Sequence, residues 1–199
     1  MDAAAPSAAT PISRFPVPRL EDLAPDIRAR IEAVAEKSGF IPNVFLALAH
    51  RPDEFRAFFD YHDALMAKKT GLSRAEREMI VVATSAANNC LYCVIAHGAI
   101  LRILAKDTEI ADRVAINHRK APLSPRERAM LDYAMKVATN AAAITDTDHA
   151  TLHDAGFTMD EIWDIGAIAA FFAMSNRLAN MSAMQPNPEF FPLGRTKQN

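Results

Sequence analysis

The chain is poor in several features that usually point to a function. It contains two cysteines, six glycines and one tryptophan among its 199 residues. Two cysteines three positions apart cannot staple a fold through disulfides, so they are predicted to serve redox chemistry or metal binding. Acidic and basic residues nearly balance, at a net charge of −2. Neither a nucleic acid nor an anionic membrane surface is therefore indicated as a partner.

Long apolar segments and a secretion signal are also lacking. The longest strongly apolar run, residues 165–174, is much shorter than the roughly 20 residues that a bilayer-spanning helix needs. The amino terminus has an acid at Asp2 and no basic segment leading into an apolar run, which argues against a signal peptide. The expected location is the cytoplasm, where thiols stay reduced.

The residues that are abundant favour helices. Half of the chain is hydrophobic and 23% is charged, which is enough apolar material for the core of one compact domain. Alanine and methionine are plentiful, and no segment shows the alternation of a strand. The sequence therefore predicts an all-α fold.

The domain organisation follows from proline content and helical spacing. Residues 1–19 hold four prolines and are predicted to form a flexible N-terminal arm. Residues 20–184 are predicted to form a single helical domain, and residues 185–199 a C-terminal arm. Apolar spacing predicts a first helix from Leu20 to Lys37, which Gly39 ends.

Two segments share a helix-start pattern. LSRAEREMI at 72–80 and LSPRERAML at 123–131 each place a serine three residues before a glutamate, the spacing of a capping box. We interpret the chain as a duplicated helical unit, with an active half at about 20–110 and a degenerate half at about 120–184. Chance similarity of alanine-rich helices is the alternative.

A second internal match supports the same interpretation. Aligning Glu161 with Glu78 places Ala173 and Asn176 at the positions of the two cysteines. The second copy would therefore lack the thiols, and each chain would carry one site.

The two cysteines belong to the pattern C-x-x-C-x-x-x-H, formed by Cys90, Cys93 and His97. Residues three and four apart share one face of a helix, so these three side chains are expected to line one side. Glu78 lies twelve residues before Cys90, a distance of about 18 Å on an unbroken helix.

A break at Asn88-Asn89 would bring Glu78 closer. Asparagine caps helices well and disfavours their interiors. We therefore predict a helix over about 73–87 that folds back, and a new helix that starts at Cys90. A cysteine at a helix start has a lowered pKa, while His97 and Glu78 offer a path for the thiol proton. Thiolate attack on a hydroperoxide and closure of a disulfide then need only these two thiols.

Three alternatives remain open. Zinc could use Cys90, Cys93 and His97 with Glu78 or another histidine, although no second ligand pair follows in the chain. The thiols could also pack as small buried hydrophobes. A helical interaction protein could sense redox state through them without turnover. A thioredoxin-like site would need a βαβ context, which is absent.

Read together, these residues resemble the AhpD-like alkylhydroperoxidase branch of the carboxymuconolactone decarboxylase superfamily. The family pattern of Glu, C-x-x-C and His matches Glu78, the cysteine pair and His97. The resemblance is closest to a peroxidase-related subgroup with Asn-x-Cys-x-Tyr-Cys, here residues 88–93. It extends to 39–55 and 171–179, and so covers about residues 20–185.

The resemblance implies an all-helical homo-oligomer with thiol peroxidase or related disulfide redox activity. Cys93 would be the peroxidatic thiol, Cys90 the resolving thiol, and His97 with Glu78 the proton relay. The substrate would be a hydroperoxide and the reductant a thiol or lipoyl-type partner, with no cofactor and no metal. Decarboxylation is not expected, because the decarboxylases of the superfamily lack the dithiol.

One departure from the family pattern concerns Tyr92, which stands where the best-known hydroperoxidases have a histidine between the cysteines. Tyrosine is a poor base near neutral pH, so substrate, rate or reductant could differ. Tyr92 and Asn89 are candidates for lining the site. The remaining histidines have no partner pattern and are predicted to lie at the surface or at an interface: His50, His62, His118, His149 and His153.

Overall fold

The structure, a computed structural model, describes residues 11–196. Within this range the chain forms helices and no strands, which confirms the predicted all-α fold. The helices are α1 (Pro25–Ser38), α2 (Asn43–Leu48), α3 (Pro52–Met66), α4 (Arg74–Ala87), α5 (Leu91–Ala105), α6 (Ile110–Asn117), α7 (Pro125–Asn140), α8 (Asp146–Asp154) and α9 (Met159–Met181). Short 3-10 turns join or flank some of them.

The first helix begins later than predicted. Leu20–Asp22 forms a separate 3-10 turn, and α1 starts at Pro25. Proline lacks an N–H and its ring clashes with a preceding helical turn, so it suits the first turn of a helix and not its interior. Gly39 ends α1 in the left-handed conformation, at φ 81°, as the sequence predicted.

Capping boxes start four of the helices, namely α4, α7, α8 and α9. Ser73 accepts a hydrogen bond from the backbone N–H of Glu76 at the start of α4. Ser124 does the same with Glu127 at α7, and a Thr–Glu box opens α9. Each box satisfies N–H groups that a helix start would otherwise leave unpaired, and α4 and α7 begin where the sequence predicted.

The centre of the molecule is α4, which packs against α5, α6, α7 and α9. Its residues 79–83 are all buried, because neighbouring helices surround α4 and its sequence there is apolar on every side. This packing brings both α5 and α9 against α4. Among the described residues, no helix has the length and hydropathy required to cross a bilayer.

The described parts of the two predicted arms contact each other. The N–H of Arg14 donates to the carbonyl of Ser182, and the N–H of Gln185 donates to that of Ile12. Farther along, Phe190 is buried, and the Arg102 guanidinium on α5 donates to its carbonyl oxygen. The C-terminal segment therefore packs on α5. The remaining arm residues, 1–10 and 197–199, lie outside the described range.

The proposed duplication stays a prediction. The stretch that was aligned with α9 consists of two helices, α4 and α5, with a break between them. In contrast, α9 runs unbroken from Met159 to Met181. The two copies would therefore differ in backbone path at the position of the cysteines.

Candidate functional site

The break between α4 and α5 lies at the predicted asparagine pair. Asn88 caps the C-terminus of α4, and Asn89 adopts a left-handed conformation at φ 52°. Asparagine tolerates this region better than most residues. Cys90 then serves as the N-cap of α5, so the chain reverses direction and α4 and α5 pack side by side.

The two thiols lie at the start of α5. Both are free cysteines and both are almost completely buried, with 1% of Cys90 and 2% of Cys93 exposed. Their sulfur atoms are 2.7 Å apart. The Sγ of Cys90 also accepts a hydrogen bond from the backbone N–H of Cys93, at 3.3 Å. The two sulfur atoms are therefore close enough for a disulfide to form between them with little movement.

Hydrogen bonding sets the two thiols apart electrostatically. Donation by the Cys93 thiol lowers the pKa of Cys90, and the backbone N–H of Cys93 acts in the same direction, while desolvation opposes both. The same thiol–thiol bond raises the pKa of Cys93 well above its usual value, and burial adds to the increase. Cys90 is therefore the thiol of the pair that loses its proton more readily, at the helix N-terminus where N–H groups favour an anion.

The predicted proton path is present on the adjoining helices. Nδ1 of His97 lies 2.7 Å from Oε2 of Glu78, and Glu78 is buried with 7% of its surface exposed. Among the described residues, Nε2 of His97 has no hydrogen-bond partner. The carboxylate therefore orients the ring and leaves the second nitrogen available, which is the arrangement that acid–base chemistry requires.

A buried amide on α9 contacts the thiols and was not predicted as part of the site. Asn176 is fully buried; its Nδ2 donates to Ser85 Oγ at 2.9 Å, and its Oδ1 accepts from Asn88 Nδ2 at 3.0 Å. Hydrogen bonding by Asn176 contributes to the lowered pKa of Cys90 and partly offsets the raised pKa of Cys93. The position that the sequence alignment treated as a lost thiol is therefore occupied by a side chain that contacts the thiols.

A cavity of about 450 Å³ opens beside the cysteine pair. Its walls are mainly aromatic and aliphatic side chains, including Phe40, Phe45, Phe58, Phe59, Phe172 and Phe190. Its few polar groups include His62, Cys93 and His97. Because Cys90 and Glu78 do not line it, Cys93 is the thiol that a molecule in the cavity would meet first.

Of the two residues predicted to line the site, Tyr92 lies on the cavity wall and Asn89 does not. Tyr92 lines the cavity, but its hydroxyl accepts a hydrogen bond from the backbone N–H of Val44 at 3.2 Å, and burial raises its pKa. Its phenol is therefore a structural contact and not a base. Asn89 is exposed and is not among the cavity residues, because its left-handed backbone serves the turn.

His62 corrects another expectation. It was predicted at the surface or an interface, yet it lies on the cavity wall with Cys93 and His97. Burial lowers its pKa, and the charge of His97 contributes. No periodic pattern links His62 on α3 to the cysteine motif, so only the packing of α3 against α9 reveals its position.

The next question is whether residues 11–196 contain side chains that could hold a metal ion. No group of three or more histidine, cysteine, aspartate or glutamate side chains there is arranged to hold a metal ion. A structural zinc site requires four such ligands around one point.

The chain is similar to several known proteins. The profile of the carboxymuconolactone decarboxylase family matches residues 52–118. A crystal structure from Ralstonia eutropha JMP134, named as an alkylhydroperoxidase AhpD core and uncharacterized peroxidase-related protein, is 60% identical. It covers 96% of this chain and 100% of its own, with a TM-score of 0.94. An uncharacterized peroxidase-related protein from Silicibacter sp. TM1040 is 37% identical, covering 94% and 97%, with a TM-score of 0.89.

A more distant structure shares only the fold with this chain. The debrominase Bmp8 is 19% identical, covers 92% of this chain and 95% of its own, and has a TM-score of 0.75. No curated protein matches the chain. The near-complete coverage at 60% identity, together with the family profile, shows that the chain belongs to the AhpD-like, peroxidase-related group of the carboxymuconolactone decarboxylase family.

Proposed function

We propose that the protein is a dithiol peroxidase-like oxidoreductase that reduces hydroperoxides through Cys90 and Cys93. The observation that carries this proposal is the pair of free thiols, with sulfur atoms 2.7 Å apart, at a helix start beside a cavity that Cys93 lines. The AhpD-like, peroxidase-related family supports the same class of chemistry.

The first step needs a thiolate at the cavity. Cys90 is the thiol that loses its proton more readily, whereas Cys93 has access to the cavity. Transfer of a proton from the Cys93 thiol to the Cys90 thiolate moves the charge to the accessible sulfur. The Cys93 thiolate then attacks the terminal oxygen of the hydroperoxide, the O–O bond breaks, and a sulfenic acid and an alkoxide form.

The second step closes the disulfide. His97, oriented by Glu78, takes the proton of Cys90, and the Cys90 thiolate attacks the sulfenic sulfur of Cys93. An S–S bond forms and hydroxide leaves, which takes the proton from His97 to become water. The alkoxide released in the first step takes up one proton to become the alcohol. Each cycle therefore oxidises the thiol pair to a disulfide and converts one hydroperoxide into one alcohol and one water.

Turnover requires an external reductant. We propose a thiol or lipoyl-type dithiol, which would reduce the Cys90–Cys93 disulfide through a mixed disulfide. Reduced buried thiols fit a cytoplasmic location. The family resemblance also implies a homo-oligomer, which light scattering of the purified protein would measure.

Counting thiols tests the proposal directly. Cumene hydroperoxide is added to the reduced protein at one equivalent per chain, and free thiols are counted after unfolding. We expect the count to fall from two per chain to none. A sample alkylated before the peroxide is added controls for peroxide consumed elsewhere. If both thiols survive in excess peroxide, the peroxidase proposal is wrong.

Turnover separates an enzyme from a redox sensor. Consumption of cumene hydroperoxide is followed with dihydrolipoamide as the reductant. Sustained consumption of many equivalents per chain supports an enzyme. A single equivalent consumed with each lipoyl-type and monothiol reductant would instead support the sensing alternative.

A further inference from the structure

A second acid–histidine pair faces the cavity from α3. Nδ1 of His62 lies 3.0 Å from Oδ1 of Asp63. The other carboxylate oxygen of Asp63 accepts a hydrogen bond from Arg30 on α1 at 2.6 Å. Arg30 also donates to the carbonyl oxygen of Phe59, which anchors it to α3. Arg30 therefore fixes the position of the Asp63 carboxylate, which in turn orients His62.

Both imidazoles contact one aromatic ring. The centroid of Phe172 is 4.8 Å from that of His97 and 6.3 Å from that of His62, each at a steep interplanar angle. His62 and His97 also line the same cavity as Cys93. A molecule bound against Cys93 would therefore meet two imidazoles in the same cavity, one from α5 and one from α3.

The proposed cycle expels two leaving groups, and each needs a proton. Hydroxide leaves when the disulfide closes, beside His97 and the sulfur atoms. Alkoxide leaves earlier, from the side of the substrate that points away from Cys93. An alkoxide, like hydroxide, is a strong base and therefore a poor leaving group, so its departure gains from an acid positioned to protonate it.

Resting on the proposed peroxidase cycle, we infer that His62 is the acid that protonates the departing alkoxide. As the Cys93 thiolate takes the terminal oxygen and the O–O bond breaks, the proton on Nε2 of the His62 imidazolium moves to the alkoxide oxygen. The products are the sulfenic acid, the neutral alcohol and a neutral imidazole. His62 then regains a proton from solvent.

The surroundings of His62 suit this role. Among the described residues, Nε2 has no hydrogen-bond partner, while Nδ1 is engaged by Asp63. The side chain is 28% exposed, against 15% for His97, so it can exchange protons with water. Burial lowers the pKa of His62, which makes its imidazolium a stronger proton donor than a free one.

Two oxidants with different leaving groups test the inference. Cumene hydroperoxide releases an alkoxide that must be protonated, whereas 3-chloroperoxybenzoic acid releases a weakly basic carboxylate that need not be. The rate of thiol loss is measured in a single turnover, without reductant, for the wild type and for His62→Gln. His153→Gln on α8, an exposed histidine outside the cavity, is the matched control.

We expect His62→Gln to react about 100-fold more slowly with cumene hydroperoxide and within about threefold of the wild type with the peracid, while His153→Gln matches the wild type with both. Equal losses with both oxidants would indicate a structural role, and no loss with either would indicate no role; each overturns the inference. Asp63→Asn, at an exposed position, provides a second variant and should shift the same ratio in the same direction.

Failure of the peroxidase proposal would look different. In that case cumene hydroperoxide would leave both thiols of the wild type intact, whatever the behaviour of the variants. If the wild type does react, a changed ratio of the rates with the two oxidants in the His62 variant tests the role of His62 alone.

Discussion

Oε2 of Glu78 and Nδ1 of His97 lie 2.7 Å apart, although 19 residues separate them in the chain. The contact crosses from α4 to α5 and exists because the helix breaks at Asn88-Asn89. Along an unbroken helix the two residues would be about 28 Å apart. The turn that places a cysteine at a helix start therefore also assembles the acid–histidine pair.

Replacing Glu78 with Gln is expected to slow oxidation of the thiols by cumene hydroperoxide by about 100-fold. The amide cannot hold the proton on Nδ1 of His97 as a carboxylate does, so the ring loses the tautomer that leaves Nε2 free to accept. Single-turnover thiol loss measures the effect. Glu32→Gln, an exposed change on α1, should react as the wild type does. An unchanged rate in Glu78→Gln would remove Glu78 from the relay.

The two cysteines are expected to differ when each is replaced alone. Cys90→Ser keeps the thiol that lines the cavity, so peroxide should produce a sulfenic acid on Cys93 that cannot close a disulfide. Dimedone should trap it, and mass spectrometry should locate the adduct. Cys93→Ser should give little or no adduct. A stronger adduct on Cys90 in that variant would reverse the assignment of peroxidatic and resolving thiols.

Asn176→Ala is expected to raise the pKa of Cys90, because a hydrogen bond that favours the thiolate is lost. A thiolate forms as pH rises through its pKa, so the thiolate absorbance should appear at higher pH than in the wild type. The change also leaves Ser85 Oγ and Asn88 Nδ2 without their partner, which should reduce the free energy of unfolding by about 1–3 kcal/mol.

The control for that experiment is Asn180→Ala, one turn along α9. Asn180 is exposed and donates a hydrogen bond to the carbonyl oxygen of Asn88. It should leave the thiolate titration unchanged while testing whether this end of α9 tolerates alanine. Equal titrations for Asn176→Ala and the wild type would show that the amide has no electrostatic effect on the thiols.

Tyr92→Phe is expected to leave the rate of reaction with peroxide within about threefold of the wild type, because general acid–base catalysis by a side chain contributes far more than that. The Tyr92 hydroxyl accepts from the N–H of Val44 and burial raises its pKa, so it is a poor proton carrier. Its loss should instead lower the free energy of unfolding by about 1 kcal/mol, measured by denaturant titration. A much slower reaction in a stably folded variant would assign Tyr92 a chemical role.

Much of the fold could be predicted because its signals are local. The capping boxes at Ser73 and Ser124 and the left-handed Gly39 each depend on a few neighbouring residues. The predicted start of α1 was wrong because the apolar spacing continues through residues 20–24. The helix begins at Pro25, since proline has no N–H to donate and its ring clashes with a preceding helical turn.

Parts of the site were less predictable for a physical reason. Cys90, Cys93 and His97 are neighbours on one helix, so spacing alone placed them together. Asn176 and His62 reach them from α9 and α3, and no pattern in the chain relates those helices to the motif. Two sequence signals included Asn176, the internal alignment that places it at the position of Cys93 and the resemblance of residues 171–179 to the peroxidase-related subgroup, but neither predicted its contact with the thiols.

The sequence by itself determined the helices, the break at Asn88-Asn89 and the chemical types in the thiol motif, because each depends on backbone preferences within a few residues. Only the tertiary structure decided which thiol lines the cavity, which thiol loses its proton more readily and which histidines line the cavity. These properties depend on burial and on hydrogen bonds between segments far apart in the chain, and such contacts exist only once α3, α4, α5 and α9 have packed together.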